Sequence, residues 1–434
     1  MPKTTKTNVV TSEIRLYFPI YTPSYVRFRG RAVSRMQWTV DRSIDGCFYL
    51  AYIERIFNKD GINSDCLVLK KELKDVRFLF LTYTLRVDRA RIFSFDTSIA
   101  FLELNISFAC DDPEDIEDIC AELRRSNKYA ICYGKKERGC LNVLAESILR
   151  GLEPYTLFDH IASCGETRAD LFVTMIADQS VEALDFHAYR IANGMNSHYN
   201  KQSDQTNDYA MFPHVKWEIS DRGVCNLGIR TDNERNNAFV NERWMSHSNV
   251  RYIVWFILAL HQKYALYHFL NEIAENNDIN NLKKIQGKII FFNTKYRFNI
   301  ISEEESYQRP YEMFCDVLRL QKQFDDIDDE VERISEYHET NSEKNTNLAM
   351  TIISVLCAVE VLKTCYDLLK VESIPKALQD AFAALTVGGR ALYGTFLLVM
   401  AVALLILIPK SPLVRWIKAQ IRRVQNFIFN RKLK

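Results

Sequence analysis

Residues 345–362 read NTNLAMTIISVLCAVEVL, and residues 391–409 read ALYGTFLLVMAVALLILIP. The second stretch has 19 residues without a charge, and the first has 15 before Glu360. A helix that crosses the hydrocarbon core of a bilayer needs about 20 mostly apolar residues. The second stretch is long enough, whereas the first is long enough only if Glu360 and Lys363 are tolerated near one end. The sequence therefore predicts an α+β membrane protein, in which transmembrane helices at 346–369 and 391–409 follow a cytoplasmic α/β body.

Charge and cysteine content narrow the class of protein and its compartment. The chain of 434 residues has a formal net charge of +1, which argues against a nucleic-acid binder driven by bulk charge. Its 11 cysteines include no C-x-x-C pair, which is typical of reduced thiols in the cytoplasm. The tail 410–434 is basic and amphipathic, so we expect it at the cytoplasmic membrane surface. Both termini are then cytoplasmic, and 370–390 is the extracytoplasmic loop.

Residues 1–245 alternate between strand patterns and helix patterns. Runs rich in β-branched and aromatic residues predict strands at 14–18, 76–85, 92–108, 170–177 and 215–219. A proline and acids in the first turn, with arginines at the end, predict a helix over 112–125. A second helix is predicted over 141–152, and an exposed loop over the polar stretch 193–208. These residues are expected to form an α/β ligand-binding body.

Residues 246–345 are predicted to form a helical layer and a stalk. The segment 250–274 lacks an uncharged run long enough to span a bilayer, so it predicts a packed core helix. From Met313 onward, mostly apolar residues recur every 3 or 4 positions, which is a heptad repeat that continues through His338, Asn341 and Asn345 to Leu362. Since no obvious breaker interrupts this pattern, it predicts one helix of about 55 residues. A stripe of that length favours self-association over packing on its own domain.

The junction between the stalk and the first apolar stretch resembles a known family. Residues 343–351, EKNTNLAMT, end a long predicted helix and enter a predicted span. This resembles the stalk-to-pore junction of CorA-type divalent-cation transporters, as does the order of body, helical layer, stalk, two spans and basic tail. The resemblance implies a homopentamer in the bacterial inner membrane, with the first span lining the pore and a divalent cation as the transported ion.

One motif of that family has no counterpart at its expected place. The family has Gly-Met-Asn just after the first span, but residues 370–373 read KVES. The chain has Gly194-Met195-Asn196 in a polar stretch of the body, which we interpret as a coincidence. CorA-like chains without the motif include accessory proteins of type III CRISPR systems. That resemblance implies an antiviral defence effector opened by a nucleotide messenger, either an S-adenosylmethionine–AMP conjugate or an oligoadenylate.

Two stripes on the first predicted span are candidates for a pore lining. The family match selects Asn347, Met350, Thr351, Ser354, Cys357 and Val361, whose polar groups would replace part of an ion's hydration shell. The heptad repeat selects instead Asn345, Leu348, Ile352, Val355 and Val359, which would gate by dewetting. We favour the first stripe, although its hydroxyls have an alternative role in bonding to carbonyls of the preceding turn. Glu360 and Glu372 are candidates for a ring of charge at the pore mouth.

Two basic groups are candidates for a phosphate or adenylate site. They are Arg27, Arg29, Arg31 and Arg35, and the loop residues Lys135, Lys136 and Arg138. Clustered guanidinium groups suit phosphate, and on a strand the first three arginines would share one face. The alternative is a solvated edge strand and a solvated turn. The body contains neither a P-loop nor a G-x-G-x-x-G motif that would compete with them.

The leading interpretation is a ligand-gated CorA-like ion channel that is not an enzyme. The eight histidines show no metal-binding spacing, and no base can be assigned to Cys164. The alternatives are a divalent-cation transporter of the magnesium type, and a membrane-tethered enzyme or binding protein. Expected partners are further copies of the chain, the lipid bilayer and a small nucleotide ligand, without direct nucleic-acid binding.

Overall fold

The computed structural model of the protein describes twelve segments of the chain. They are residues 9–58, 64–73, 76–80, 83–107, 112–124, 131–133, 137–139, 141–157, 169–179, 183–199, 208–276 and 279–369. The chain divides into two compact units, Met1–Glu330 and Val331–Lys434.

The first unit contains all of the described strands. They are β1 (Val9–Tyr21), β2 (Thr39–Val40), β3 (Cys66–Glu72), β4 (Arg77–Phe80), β5 (Tyr83–Phe95), β6 (Ile99–Ser107), β7 (Ile131–Tyr133), β8 (Glu137–Gly139), β9 (Thr156–Leu157), β10 (Asp170–Asp178), β11 (Asp208–Phe212), β12 (Val215–Ser220) and β13 (Gly223–Arg230). Strand β10 reads DLFVTMIAD and is buried almost throughout, a pattern typical of strands covered on both faces.

Eleven strands form one mixed sheet with the order β11-β12-β13-β10-β1-β6-β5-β3-β2. Strand β4 pairs with β5, and β9 pairs with β1, while β7 and β8 form a separate hairpin. The β10–β13 pair is parallel and the other recorded pairs are antiparallel. The first described strand, β1, therefore lies in the middle of the sheet, between β10 and β6.

Helices account for most of the remaining described residues. They are α1 (Tyr25–Ser34), α2 (Ala51–Asn58), α3 (Pro113–Arg124), α4 (Leu141–Leu149), α5 (Leu184–Ala192), α6 (Glu234–Ala238), α7 (Met245–His247), α8 (Ile253–Glu275), α9 (Ile279–Tyr296), α10 (Glu305–Val317) and α11 (Leu320–Leu369). Two π-helical segments, Phe239–Trp244 and Ser248–Tyr252, flank α7.

The two faces of the sheet are covered by different helices. On one face, α1, α3, α4 and α5 bury an apolar cluster that includes Phe28 and Ile116. On the other face lies α8, whose Phe256 ring centroid is 5.2 Å from that of Tyr17 and 5.1 Å from that of Phe172. Helix α10 packs in turn on α8, because Phe314 stacks on Phe256 at 5.1 Å. This is an α/β arrangement with the core on both sides of the sheet.

The predicted continuous helix of about 55 residues is wrong, because the chain breaks between α10 and α11. Arg319 has a φ of 55°, in the left-handed region, and its N–H donates to the Asp316 carbonyl. Leu318 and Leu320, on either side of it, are both buried. In a continuous helix these two side chains would point about 200° apart, so only a local reversal brings both into the core.

The prediction of an α+β membrane protein with two C-terminal transmembrane helices is also wrong. Over its described residues the chain has an α/β fold with a mixed sheet, and none of the described helices has the length and apolarity needed to cross a membrane. Helix α11 contains the first predicted span, 346–369, but Glu360, Lys363 and Asp367 fall within it. The uncharged run therefore ends well short of about 20 residues. The second predicted span, the loop before it and the basic tail lie outside the described residues.

Candidate functional site

A cavity of about 560 Å³ opens where α2 and the end of α9 come together. Helix α2 is amphipathic, so it buries Ile53 and leaves Tyr52 and Arg55 exposed. We call this cavity the α2–α9 pocket. Its lining consists of Tyr52, Arg55, Ile56, Asp65, Thr294, Lys295, Arg297, Phe298, Asn299 and Ile300. Three cations and two aromatic rings therefore converge on one space.

The two rings form an apolar wall of the pocket. The ring centroids of Tyr52 and Phe298 are 5.8 Å apart, with 31° between the planes. Tyr52 is fixed because its hydroxyl donates to the carbonyl of Ile300, and burial raises the pKa of the phenol. Phe298 also contacts Tyr296, whose hydroxyl donates to Asp96. Tyr52 is exposed and Phe298 is half-buried, so this fixed aromatic pair offers a surface on which a planar ring can stack.

Lys295 is a cation whose charge is already balanced. Its Nζ lies 2.9 Å from Asp65 Oδ1 and 2.5 Å from Asp96 Oδ2. Burial by itself would lower the pKa of Lys295, but the hydrogen bonds and negative charges of Asp96 and Asp65 raise it above the ordinary value. Lys295 therefore stays protonated and ties the end of α9 to the sheet.

Arg297 has a partner outside the pocket, whereas Arg55 has none among the described residues. Arg297 Nη1 lies 2.7 Å from Asp328 Oδ2, and its Nη2 lies 3.5 Å from Asp325 Oδ1, both on α11. Arg55 is exposed, and none of the described residues accepts a hydrogen bond from it. An anion that enters the pocket would meet the Arg55 guanidinium without displacing a described protein carboxylate.

A second cavity of about 380 Å³ lies further back along α9. Its Lys288 is 2.9 Å from Glu272 Oε1, and its His268 is 3.6 Å from the same carboxylate oxygen. Burial lowers the pKa of His268, which favours the neutral ring. The cation of this second cavity is thus already paired, which makes the α2–α9 pocket the better candidate for an anionic ligand.

The sequence-predicted arginine cluster lies on a helix rather than a strand. Arg29 is fully buried in α1 and donates to the carbonyls of Ser64, Asp65 and Ser94. Arg27 and Arg35 are exposed, and Arg31 is half-buried. The four arginines therefore do not share one face. Arg29 instead holds the backbone of Asp65, so it supports the wall of the α2–α9 pocket from behind.

The second predicted basic group is described only in part. Lys135 and Lys136 lie outside the described residues, and Arg138 lies in β8. A phosphate-binding role for this loop stays a prediction, as it does for the exposed arginines of α1.

The predicted pore-lining residues lie on α11 as far as the structure describes them. Asn347, Met350, Ser354 and Cys357 are exposed. The Thr351 hydroxyl donates to the carbonyl of Asn347 at 2.7 Å, and the Ser354 hydroxyl to that of Met350 at 2.8 Å. Both hydroxyls thus make the bond to the preceding turn that was the alternative to ion contact. Glu360 and Val361 belong to the same helix, whereas Glu372 lies outside the described residues.

The residues of the α2–α9 pocket were missed by sequence reasoning. They come from two segments, 52–65 and 294–300, that are far apart in the chain. The available signal was the alternation of basic and aromatic residues in Lys295-Tyr296-Arg297-Phe298. Such an alternation is typical of binding surfaces for phosphates and rings, but it does not reveal which second segment faces it.

Arg91, Glu103 and Tyr17 form a buried charged cluster that is structural. Arg91 donates to both carboxylate oxygens of Glu103, at 2.7 and 2.6 Å, and the Tyr17 hydroxyl donates to the same carboxylate at 2.6 Å. All three side chains are fully buried. Because the pair is bidentate and closed to solvent, it joins the neighbouring strands β5 and β6 and leaves no access for a ligand.

Comparison with known proteins adds no family to this description. No protein-family model matches the chain, and a search of curated proteins finds no match either. The CorA-like resemblance therefore stays a prediction from residues 343–351 and from the order of the segments.

Proposed function

We propose that the body is a ligand-sensing domain that binds a phosphorylated, ring-containing ligand of the nucleotide class in the α2–α9 pocket. The observation behind this is the convergence of Arg55, Arg297 and the Tyr52–Phe298 pair on one cavity. Guanidinium groups bind phosphate oxygens in pairs of parallel hydrogen bonds, and aromatic rings stack on bases. The volume of about 560 Å³ falls within the usual range of about 300–1,000 Å³ for small-molecule sites.

The charged residues of the pocket have different roles. Lys295 is neutralised by two carboxylates, so it positions the wall rather than attracting an anion. Arg55 has no described partner and would make the first phosphate contact. Asp65 lies at the pocket as well, and its carboxylate disfavours a ligand that is anionic throughout. A ligand with one phosphate end and one neutral aromatic end fits this distribution better than inorganic phosphate.

Binding can be measured by titrating the full-length protein with AMP and with short oligoadenylates in a calorimeter. Arg55→Gln should weaken binding about tenfold or more, since a hydrogen bond to a charged group contributes about 1.5–3 kcal/mol. Phe298→Ala should weaken AMP binding and leave the weaker binding of inorganic phosphate unchanged. Arg27→Gln removes the same charge from the exposed face of α1 and serves as the control. If Arg27→Gln abolishes binding and Arg55→Gln does not, the ligand site lies on α1.

Gated ion conduction, the activity that the resemblance implies, stays a separate prediction. It concerns the C-terminal residues, which lie mostly outside the described part of the chain. Full-length protein in liposomes should release a trapped divalent cation only after a nucleotide is added. Uptake without a nucleotide would favour the magnesium-type transporter, and turnover without ion flux would favour the tethered enzyme.

A further inference from the structure

Arg297 contacts both the α2–α9 pocket and helix α11. Its side chain lines the α2–α9 pocket, and the same guanidinium binds Asp328 at 2.7 Å and Asp325 at 3.5 Å. Both carboxylates lie in the first turns of α11, on the side that faces the end of α9. The guanidinium also lies 4.8 Å from the centroid of the Phe324 ring, which directly precedes Asp325 on α11.

Further contacts attach the same turns of α11 to α9. Asn293 of α9 donates to Asp328 Oδ1 at 2.8 Å, so Asp328 is held by one side chain of α9 and by Arg297, which directly follows that helix. Phe324 stacks on Phe292 at 6.2 Å, and Ile327 is fully buried. The start of α11 thus has a buried apolar anchor and, beside it, an exposed polar contact that opens onto the pocket.

We infer that Arg297 is a switch residue for which a phosphate in the α2–α9 pocket and the carboxylates of Asp325 and Asp328 compete. The inference rests on the proposed function and names the regulation of that site. A phosphate engages the guanidinium through the same paired donors that the carboxylates use. Occupation of the pocket therefore loosens the first turns of α11. Conversely, firm attachment of α11 to Arg297 lowers the affinity of the pocket for its ligand.

The expected strength of the competition between the ligand and α11 follows from the solvent exposure of Asp325 and Asp328. Asp325 is 60% and Asp328 is 46% exposed at the side chain, so both ion pairs are screened by water. Exposed ion pairs shift an equilibrium by up to about fivefold each. The ligand would therefore not detach α11, because Phe324 and Ile327 stay buried. It would raise the equilibrium constant for opening of the first turns several-fold. By reciprocity, removing the carboxylates should improve ligand affinity by the same factor.

Two double variants on α11 separate this competition from bulk charge. Asp325→Asn/Asp328→Asn removes the partners of Arg297. Asp326→Asn/Asp329→Asn removes equal charge from exposed positions of the same helix, with no described contact to Arg297. With AMP as the probe and full-length protein, the first pair should tighten binding about fivefold, and the second should leave it nearly unchanged. Equal tightening in both variants would show a general field effect and overturn the inference.

Hydrogen exchange of residues 320–330 gives a second readout, in the free protein and with AMP. Arg297→Gln should raise their exchange in the free protein, and AMP should raise it in the wild type but no further in Arg297→Gln. If AMP binds the wild type and exchange stays the same or falls, the switch is wrong while the proposed function stands. If AMP and oligoadenylates do not bind the wild type at all, the proposed function is wrong, and so is the inference about Arg297 that rests on it.

Discussion

Glu13 links the stability of the body to pH at the level of one carboxylate. It accepts hydrogen bonds from Arg15 at 2.8 Å, from Asn249 at 2.9 Å, and from Asn105. Burial by itself would raise the pKa of Glu13, but the charge of Arg15 and these hydrogen bonds lower it from 4.5 to about 2. Because the folded pKa is depressed, the stabilisation is complete above the unfolded value and is lost as pH falls through the folded one.

The expected contribution is about 3 kcal/mol near neutral pH, and it disappears between about pH 5 and pH 2. Glu13→Gln should therefore flatten the acid limb of the free energy of unfolding, measured by urea titration across that range. Glu303→Gln removes an exposed carboxylate and is the control. An acid limb of unchanged slope in Glu13→Gln would assign the pH dependence to other groups.

The buried Arg91–Glu103 pair predicts an asymmetry between single and double substitution. Arg91→Leu leaves the Glu103 carboxylate buried without its bidentate partner, and should lower the free energy of unfolding by about 3–5 kcal/mol. Arg91→Leu/Glu103→Leu removes both charges and should recover a large part of that loss. Chemical denaturation of the two variants measures both values. A cost below about 1 kcal/mol for Arg91→Leu would contradict a closed, fully desolvated pair.

Among single residues, the sequence identifies basic groups but not their surroundings. It marks Arg29 as one of four candidate phosphate-binding arginines, whereas the structure places it behind the pocket wall with its donors occupied. Arg55 shows no signal in the sequence, because one exposed arginine on an amphipathic helix is ordinary. Its importance arises only from Phe298 and Arg297, which a distant segment brings beside it.

The break between α10 and α11 is a feature at the level of the element, and it can be tested by glycine substitution. Arg319 is held at a φ of 55°, a conformation that glycine adopts without strain. Arg319→Gly should therefore raise the free energy of unfolding by about 0.5–1 kcal/mol. Lys322→Gly, inside α11, should lower it by about 1 kcal/mol. If Arg319→Gly destabilises the protein as much as Lys322→Gly, the break is absent in solution.

Helices whose ends are specified by capping residues in the sequence agree with the predictions. Elements whose form depends on packing against the sheet do not. The cap, proline and acids at 112–115 specify α3, which begins at Pro113 and ends at Arg124, close to the prediction. The heptad spacing continues across 317–320 although the helix does not. Spacing records which side chains are apolar, whereas the reversal at Arg319 depends on where the core lies. Residues 25–34 form a helix because Phe28 and Ala32, one turn apart, face the sheet.

At the scale of the whole molecule, the division at Glu330 predicts that the first unit folds alone. The sheet, its covering helices and the α2–α9 pocket all lie within Met1–Glu330. A chain ending at Glu330 should unfold cooperatively in thermal circular dichroism and bind AMP like the full-length protein. Loss of a cooperative transition would show that the sheet depends on residues 331–434.

Self-association is expected to depend on the remaining residues. The heptad stripe continues beyond Glu330, so the full-length protein should sediment as an oligomer, with a homopentamer as the expected size. The chain ending at Glu330 should sediment as a monomer. An oligomer of the same order from the shorter chain would place the association surface on the body.

The central position of β1 has a consequence during synthesis. This strand leaves the ribosome long before its partner β10, whose last residue is Asp178. At about 5–20 residues per second, its partner follows roughly 10–30 s later. Through that interval a nascent apolar segment containing Ile14, Leu16 and Phe18 has no strand to pair with on that side. We therefore expect synonymous codons that slow translation before residue 178 to lower the yield of folded protein.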